Sequence, residues 1–518
     1  MIGILNSKLE AFKYVFGAFK RSFSDSQILE LESLEDLEFK KVSALVLISP
    51  TEQQLGSAIA ISCIKKLVIL GTIPISYSDV FQFHLGDWPQ GEWGKAPSAD
   101  TYKFSESREI VEYTENSKRR FGCTYDRPLE RFDFMDEWNN LGYGAIKTTN
   151  DIWSLSFPAI FDQKNVLSNI NKDGELICSY SSFIELEDKF CLWFNREVGP
   201  VDSYEWQIIE YYLSSIPVDG GNCYPVLLEV PTGFDCAITM RLDCDEDIES
   251  SRYLWNAYRE ESIPFSLAIH TKNLSDERHF PIMRELDLAG EAILSHTATH
   301  APNWGGSYES ALSEAKISAD LIESVINKRV VYAVSPFHHT PIYALKALND
   351  AGYKGCIGGI IKNDPEFLTF NGGNLADLPD SFIGHSQQVM LHGDCILDDG
   401  GDSIRIYKKS FDISKKTNTI FGYLDHPFSD RYQYGWESEK QRKDVHFELI
   451  DYIRSNSNTP CFMNEVDAMN FLQDKEKLYP IIANGVPTLA LKKGYIRQSL
   501  FIPKVMYKGV VFDGAIRD

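Results

Sequence analysis

Three short segments hold the residue types and spacings best suited to chemistry. The first, Ala237-Ile238-Thr239-Met240-Arg241-Leu242-Asp243-Cys244-Asp245-Glu246-Asp247, is an apolar strand pattern that opens onto a cluster of acids, a construction common at the C-terminal end of barrel strands. Strand side chains alternate, so Arg241, Asp243 and Asp245 share one face for as long as the strand persists. Two carboxylates side by side repel unless a cation or a proton separates them. A metal on one and a base role for the other meets that demand. In the second segment, Ser295-His296-Thr297-Ala298-Thr299-His300, the imidazoles stand at i and i+4, a spacing that places both on one helical face and lets them grip a single ion. With one carboxylate they form a two-histidine, one-carboxylate set that leaves positions for water and substrate. Such N/O ligation suits zinc, with cobalt, iron or nickel as alternatives. The third, Ile420-Phe421-Gly422-Tyr423-Leu424-Asp425-His426-Pro427-Phe428, ends a strand in a histidine before proline, placed to protonate a leaving amine. Each pattern alone is commonly incidental: a solvated acidic loop, a chance histidine pair, a structural histidine. Their order and their shared placement at strand ends tie them together.

The elements that would position these groups are α/β. From residue 236 to about 474 strand and helix patterns alternate, with helices expected at 307–326 and 342–351. Residues 216–235 contain Pro and Gly and read as a connector. Upstream, Ile2–Leu5, Ile28–Leu31, 42–48 and 67–70 are strand candidates, and Leu9, Phe12, Val15, Phe16 and Phe19 recur at helical spacing. This alternation predicts a parallel sheet of Rossmann or flavodoxin type over residues 1–215. No G-x-G-x-x-G follows the first strand, so a dinucleotide site has no support. Residues 87–140 are rich in Trp, Gly, Pro and Tyr and read as long loops, whose aromatics could line a sugar cleft or pack a core. Further strands are expected near 152–157 and 190–194, with a helix at 205–213. Residues 475–518 alternate apolar and polar positions between glycines, as in a small β-rich extension.

Composition narrows the class. With 51 Lys and Arg against 74 Asp and Glu, the net charge is −23. So acidic a surface disfavours nucleic acid and anionic lipid as partners. No segment has the apolar length to span a bilayer. Lys8, Glu10 and Lys13 interrupt the N-terminal apolar stretch, so no secretory leader is read and a cytoplasmic location is expected. The ten cysteines show no C-x-x-C spacing, and reduced, mostly buried thiols are expected.

The order of the three segments resembles the NodB-homology domain of polysaccharide deacetylases, carbohydrate esterase family 4, over residues 236–474. The resemblance implies a distorted (β/α) barrel and removal of an N-acetyl group from an amino sugar of a surface polysaccharide or its biosynthetic intermediate. By that match Asp243 is the catalytic base and Asp245 a metal ligand. His296 and His300 complete the metal set as an H-[ST]-x-x-H motif, and His426 is the general acid. One departure stands out. The family's R-x-P-[YF] motif appears here as Val334-Ser335-Pro336-Phe337, without the arginine that would hold the base carboxylate. Arg241, on the face of Asp243, is the favoured replacement, with His338 and His339 as the others. The alternative implied by the loss is an inactive deacetylase-like glycan-binding protein. Residues 193–203 and the helix after them resemble the closing strand and helix of a glutamine-amidotransferase-like domain, but no Cys-His-Glu set accompanies them, so residues 1–215 are expected to be a non-catalytic α/β domain.

Overall fold

The computed structural model describes residues 1–39, 41–87, 109–128, 152, 155–200, 202–219, 221–338, 340–358, 371–387, 389–396 and 401–517. Two large sheets dominate it. In the first, Ile28–Leu31, Ile2–Leu5, Ala44–Ile48, Lys66–Leu70 and Phe190–Phe194 lie side by side, all parallel. Ala44–Ile48 and Lys66–Leu70 are buried along their whole length, as strands covered on both faces must be. The covering helices have ordinary sequence causes. Glu52–Ala60 starts at a Thr51/Gln54 capping box, and Ser203–Ser215 starts at Asp202, whose side chain accepts from the Glu205 amide.

The rest of this sheet departs from the purely parallel expectation. Glu175–Glu185, Val166–Lys172, Glu109–Tyr113 and Arg127–Pro128 extend it as antiparallel neighbours. The long hairpin turns on Asp173-Gly174, both at positive φ (53° and 82°), the conformation that two-residue hairpin loops require. Among the described residues no strand lies at 152–157; Leu155 makes only an isolated bridge to Arg196. The aromatic cleft lining expected over 87–140 falls mostly outside the described residues.

The second sheet positions the candidate site. Its order is Gly373–Asn374, Ile383–Ser386, Gly355–Gly358, Tyr332–Val334, Ala292–Ser295, Ser266–Ile269, Cys236–Cys244, Ile420–Asp425 and Val389–Met390, with Pro460–Met463 also paired to Cys236–Cys244. Every pairing is parallel except that of Gly373–Asn374. Among the described residues no ladder joins its two edges, so closure into a barrel is not seen. One face packs against helices that include Arg252–Glu260, Tyr308–Ile326 and Glu439–Ser455. The opposite face packs against the helix Glu465–Glu476, through Ala468, Met469, Phe471 and Leu472.

The strand Cys236–Cys244 is buried throughout and splits between these faces. Ile238, Met240 and Leu242 enter the helix-covered core. Ala237 joins the apolar layer around Glu465–Glu476, and Thr239, Arg241 and Asp243 follow on that same side. Each step of two residues advances roughly 6.6 Å, so this side passes from apolar to polar to the strand's open end.

The expected connector contains a buried strand, Val226–Pro231, which pairs with Pro503–Tyr507 from the C-terminal extension. That extension is built of the hairpins Leu478–Ala483/Val486–Leu491 and Pro503–Tyr507/Val510–Phe512. Lys475 ties these parts together from a buried position: its Nζ donates to Glu229 and to the carbonyls of Arg21 and Gly372. No described helix is long and apolar enough to cross a membrane.

Candidate metal centre

The three segments meet at the C-terminal ends of neighbouring parallel strands. Asp243 is the penultimate residue of its strand and Asp245 lies one residue beyond it. His296 follows Ala292–Ser295 directly, and His426 follows Ile420–Asp425. They line one pocket of about 330 Å³, with Ser335, Phe337, His338, Met390, His392, Asp394 and Tyr434 completing its wall. That size suits a small organic ligand.

Asp245 faces both imidazoles through a single oxygen. Its Oδ1 lies 3.5 Å from His296 Nε2 and 3.4 Å from His300 Nε2, and the two Nε2 atoms are 3.0 Å apart. The three side chains form a group able to hold one metal ion. Asp245 Oδ1 is buried and accepts no hydrogen bond, an arrangement that is costly unless something else satisfies it. A buried carboxylate oxygen facing two imidazole nitrogens fits a divalent cation of the zinc class. The His296 ring is also held from behind: its Nδ1 lies 3.3 Å from the Val334 carbonyl, the outer support that metal-binding histidines commonly have.

The histidine pair is not helical, contrary to the expectation from its spacing. Residues 296–300 form a loop in which Thr297 (φ 67°) and His300 (φ 52°) adopt left-handed conformations. Thr297 Oγ1 accepts from the His300 amide and pins that turn. A tight loop thus brings the rings together where a helical turn was predicted, and the strain it carries is of the kind that gathers at functional sites.

Arg241 grips Asp243 with both arms, Nε to Oδ1 at 2.5 Å and Nη2 to Oδ2 at 3.0 Å, both groups fully buried. Burial alone would raise the Asp243 pKa; the Arg241 charge and its hydrogen bonds hold it well below the usual carboxylate range. Val334, at the place of the missing arginine, is buried in the apolar layer against the helix Glu465–Glu476, and Ser335 beside it bonds to Thr340. His338 lines the pocket, and burial pushes it down to about 3, so it is neutral and offers Asp243 no counter-charge. His339 lies outside the described residues.

Sequence reasoning missed the groups around His426. His392 Nε2 sits 2.6 Å from His426 Nδ1. The Tyr434 ring stacks on His426 at 4.1 Å, and its hydroxyl donates to Asp245 Oδ2 at 2.9 Å. Two loops must touch to bring these side chains in. They do so at Gly393 and Gly435, where a Cβ on Gly393 would stand 2.3 Å from the Gly435 carbonyl carbon. Behind His426, Asp425 points to the opposite side of the sheet, into His446, Arg442 and Trp436. Arg442 also donates to the His426 carbonyl at 2.6 Å. Burial and then His392 push His426 down to about 4. A neutral His426 that accepts from His392 at Nδ1 carries its proton on Nε2, the nitrogen 3.6 Å from Asp245 Oδ2. His392, Asp425 and His426 also lie close enough to form a second ligand-like group. There Asp425 is engaged by Arg442 and His446, so a hydrogen-bonded array accounts for them. The sequence offered only Leu391-His392-Gly393-Asp394 and Tyr434-Gly435-Trp436 as hints, histidine and tyrosine each beside a glycine.

Among the described residues the first sheet shows no counterpart. Residues 1–215 contain one histidine, His84, which is exposed. Cys178 and Cys191 are buried with thiols pushed up by burial, Cys178 to about 12, the opposite of an activated nucleophile. Nothing among the described residues supports amidotransferase chemistry there.

No protein-family model matches the chain, and no curated protein matches it. Among solved structures it is similar to a candidate polysaccharide deacetylase from Mycobacterium smegmatis. The identity is 13% and the TM-score 0.39, over 50% of this chain and 97% of that one. A family 4 acetyl xylan esterase from Clostridium thermocellum, solved with a cobalt ion, is similar at 8% identity and TM-score 0.30, over 45% and 89% of the two chains. A carbohydrate esterase family 4 pseudoenzyme from Bacillus anthracis is similar at 10% identity and TM-score 0.31, over 45% and 65%. All three TM-scores lie below 0.5, and the site geometry stands independently of them.

Proposed function

We propose that the protein is a metal-dependent hydrolase that removes an N-acetyl group from an amino sugar, acting in the cytoplasm on a surface polysaccharide or an intermediate in its assembly. The observation that carries this reading is the buried, unpartnered Asp245 Oδ1 facing His296 Nε2 and His300 Nε2, with a second carboxylate and a third imidazole on the same pocket. The choice of an acetylated sugar follows from the motif resemblance, in which these residues stand in the family's order.

Asp245, His296 and His300 would hold the ion, which when bound supplies Lewis acidity toward water and the acyl oxygen. Asp243, kept ionised by Arg241, takes a proton as water attacks the acyl carbon. The Phe337 amide, on the strained turn where Phe337 and His338 have φ of 51° and 55°, would donate to the oxyanion. His426, once protonated, gives its Nε2 proton to the sugar nitrogen as the C–N bond breaks and acetate leaves, and returns to the neutral imidazole. His392, 2.6 Å from Nδ1, orients the ring for this step. The exposed Phe337 ring, 4.5 Å from the His300 ring, offers a stacking surface at the pocket mouth.

Acetate release from N-acetylated amino-sugar oligosaccharides, assayed with added zinc or cobalt and again after chelation, tests the proposal. Release that disappears on chelation and returns with metal supports it. Saturable glycan binding without acetate under every metal condition would replace it with the binding-protein reading, which the missing middle-motif arginine keeps in play.

A further inference from the structure

Below Asp243 the same side of the sheet continues into polar residues that carry no step of the proposed reaction. Thr239, Arg241, His385, Gln387 and Glu465 are all buried to within 1% of complete. Glu465 is the first residue of the helix that fills this side of the sheet, so its carboxylate sits where that helix begins. Gln387 Nε2 donates to Glu465 and lies 3.4 Å from Thr239 Oγ1. Gly422, beside Thr239 in the parallel ladder, makes the space: a Cβ there would stand 2.1 Å from Gln387 Oε1. Polar groups from two strands, the residue after one of them and a helix thus converge in a sealed interior, between the apolar layer and the pocket floor.

Their hydrogen bonding is incomplete among protein atoms. Arg241 uses Nε and Nη2 on Asp243, and its Nη1 has no partner; neither do Glu465 Oε2, Gln387 Oε1 or either ring nitrogen of His385. Leaving such groups unsatisfied is costly, and several in one place are commonly reconciled by buried water with two to four polar partners. Arg241 is the strongest attractive influence on Glu465.

We infer that this chamber holds ordered water joining Arg241 Nη1 to Glu465 Oε2, and that Glu465 is thereby a positioning residue that keeps the guanidinium seated on Asp243. The catalytic part of this inference rests on reading Asp243 as the base. The charged or titratable groups facing Glu465 are Arg241 and Asp243, with Thr239 and Gln387 as neutral partners; His385 faces Arg241 from the strand Ile383–Ser386. Burial pushes Glu465 up to about 7 against the pull of Arg241, and pushes His385 down to about 3. Near neutral pH Glu465 is therefore the member of the chamber that changes charge. When it ionises it takes a share of the Arg241 charge, and Asp243 becomes the stronger base.

Full-length Glu465→Gln and Glu465→Leu proteins, compared with wild type by crystallography and by kcat and KM from about pH 5.5 to about 8.5, test this. The wild-type structure should show water between Arg241 and Glu465, and kcat should rise with an inflection near pH 7. Glu465→Gln should lose the inflection and hold kcat near the wild-type low-pH level across the range. Glu465→Leu should lose roughly 10-fold or more in kcat with KM little changed, and Arg241 should turn from Asp243. A Glu465→Leu protein with wild-type kcat, inflection and Arg241 conformation overturns the inference. If the wild type releases no acetate, the hydrolase reading fails separately, and the Arg241 conformation in the two variants decides the positioning role.

Discussion

The chain builds parallel strands twice, and the two sheets end differently. At the C-terminal edge of the first, polar groups pair with one another: Ser49 Oγ donates to Glu197 at 2.7 Å, and Asn195 exchanges hydrogen bonds with Phe157 through its side-chain amide. Lys66, buried deeper, donates to the last carbonyls of the helix Ser203–Ser215. At the same edge of the second sheet Asp243, Asp245, His296, His338 and His426 converge on a pocket, and Asp245 Oδ1 is left without a hydrogen bond. The backbone construction is shared. What separates the sheets is that the second gathers carboxylates and imidazoles on one pocket, an unpartnered carboxylate oxygen among them, and that gathering is the mark of a site.

Several changes would break or sharpen that contrast, beginning with the largest expected effect. Asp243→Asn should lower the acetate-release rate by about 10²- to 10⁴-fold, the range for losing a general base. Ser49→Ala, its counterpart on the first sheet, should cost about 1 kcal/mol of stability and leave the rate unchanged. Equal kinetic effects from both would erase the distinction. Next comes Arg241→Met, which strands the fully buried Asp243 carboxylate. Urea unfolding should show a loss of roughly 3–5 kcal/mol, as for other broken buried pairs; a loss under 1 kcal/mol would mean that Asp243 reaches solvent.

His385 supplies a pH test. Its pKa in the folded chain is pushed down to about 3 by burial, from an ordinary 6.5. The unfolded chain therefore binds the extra proton first, and the stability that neutral His385 contributes is full above pH 6.5 and is lost as pH falls toward 3. By pH 4 the loss is on the order of 3 kcal/mol, and His385→Gln should show a visibly flatter decline between about pH 6.5 and about pH 4. A decline identical to wild type would place His385 in contact with water. The smallest effect is expected from His392→Gln, which should lower kcat roughly 10- to 100-fold with little change in KM, since His392 touches His426 and not the metal ligands. A change in KM alone would make it a substrate contact.

The sequence disclosed the site better than its surroundings. Asp243, Asp245, His296, His300 and His426 were legible because each lies at a strand end, where chemistry depends on short local spacing. The pairing of Arg241 with Asp243 was legible through strand alternation, and the structure shows the two in contact. His392, Tyr434 and Glu465 were not, because long connections bring them in and isolated residues carry no period. The i, i+4 histidines show that spacing suggests proximity without fixing conformation: a loop with left-handed residues achieves what a helix was expected to do. In the first sheet the parallel strands announced themselves as apolar runs. The antiparallel hairpin was obscured by polar residues such as Asn169, Asn171 and Ser179 within Val166–Lys172 and Glu175–Glu185, although Asp173-Gly174 was an available turn signal. Where the two regions join, Glu229 and Lys475 meet across long sequence separation, which no local pattern could foretell.

The central claim is that one divalent cation is shared by Asp245, His296 and His300. Calorimetric titration of the metal-free protein with zinc, beside an Asp245→Asn/His296→Ala double variant, tests it most directly. A single strong site in the wild type that vanishes in the folded double variant is the predicted result. Undiminished binding by the variant, or no stoichiometric binding by the wild type, would contradict it.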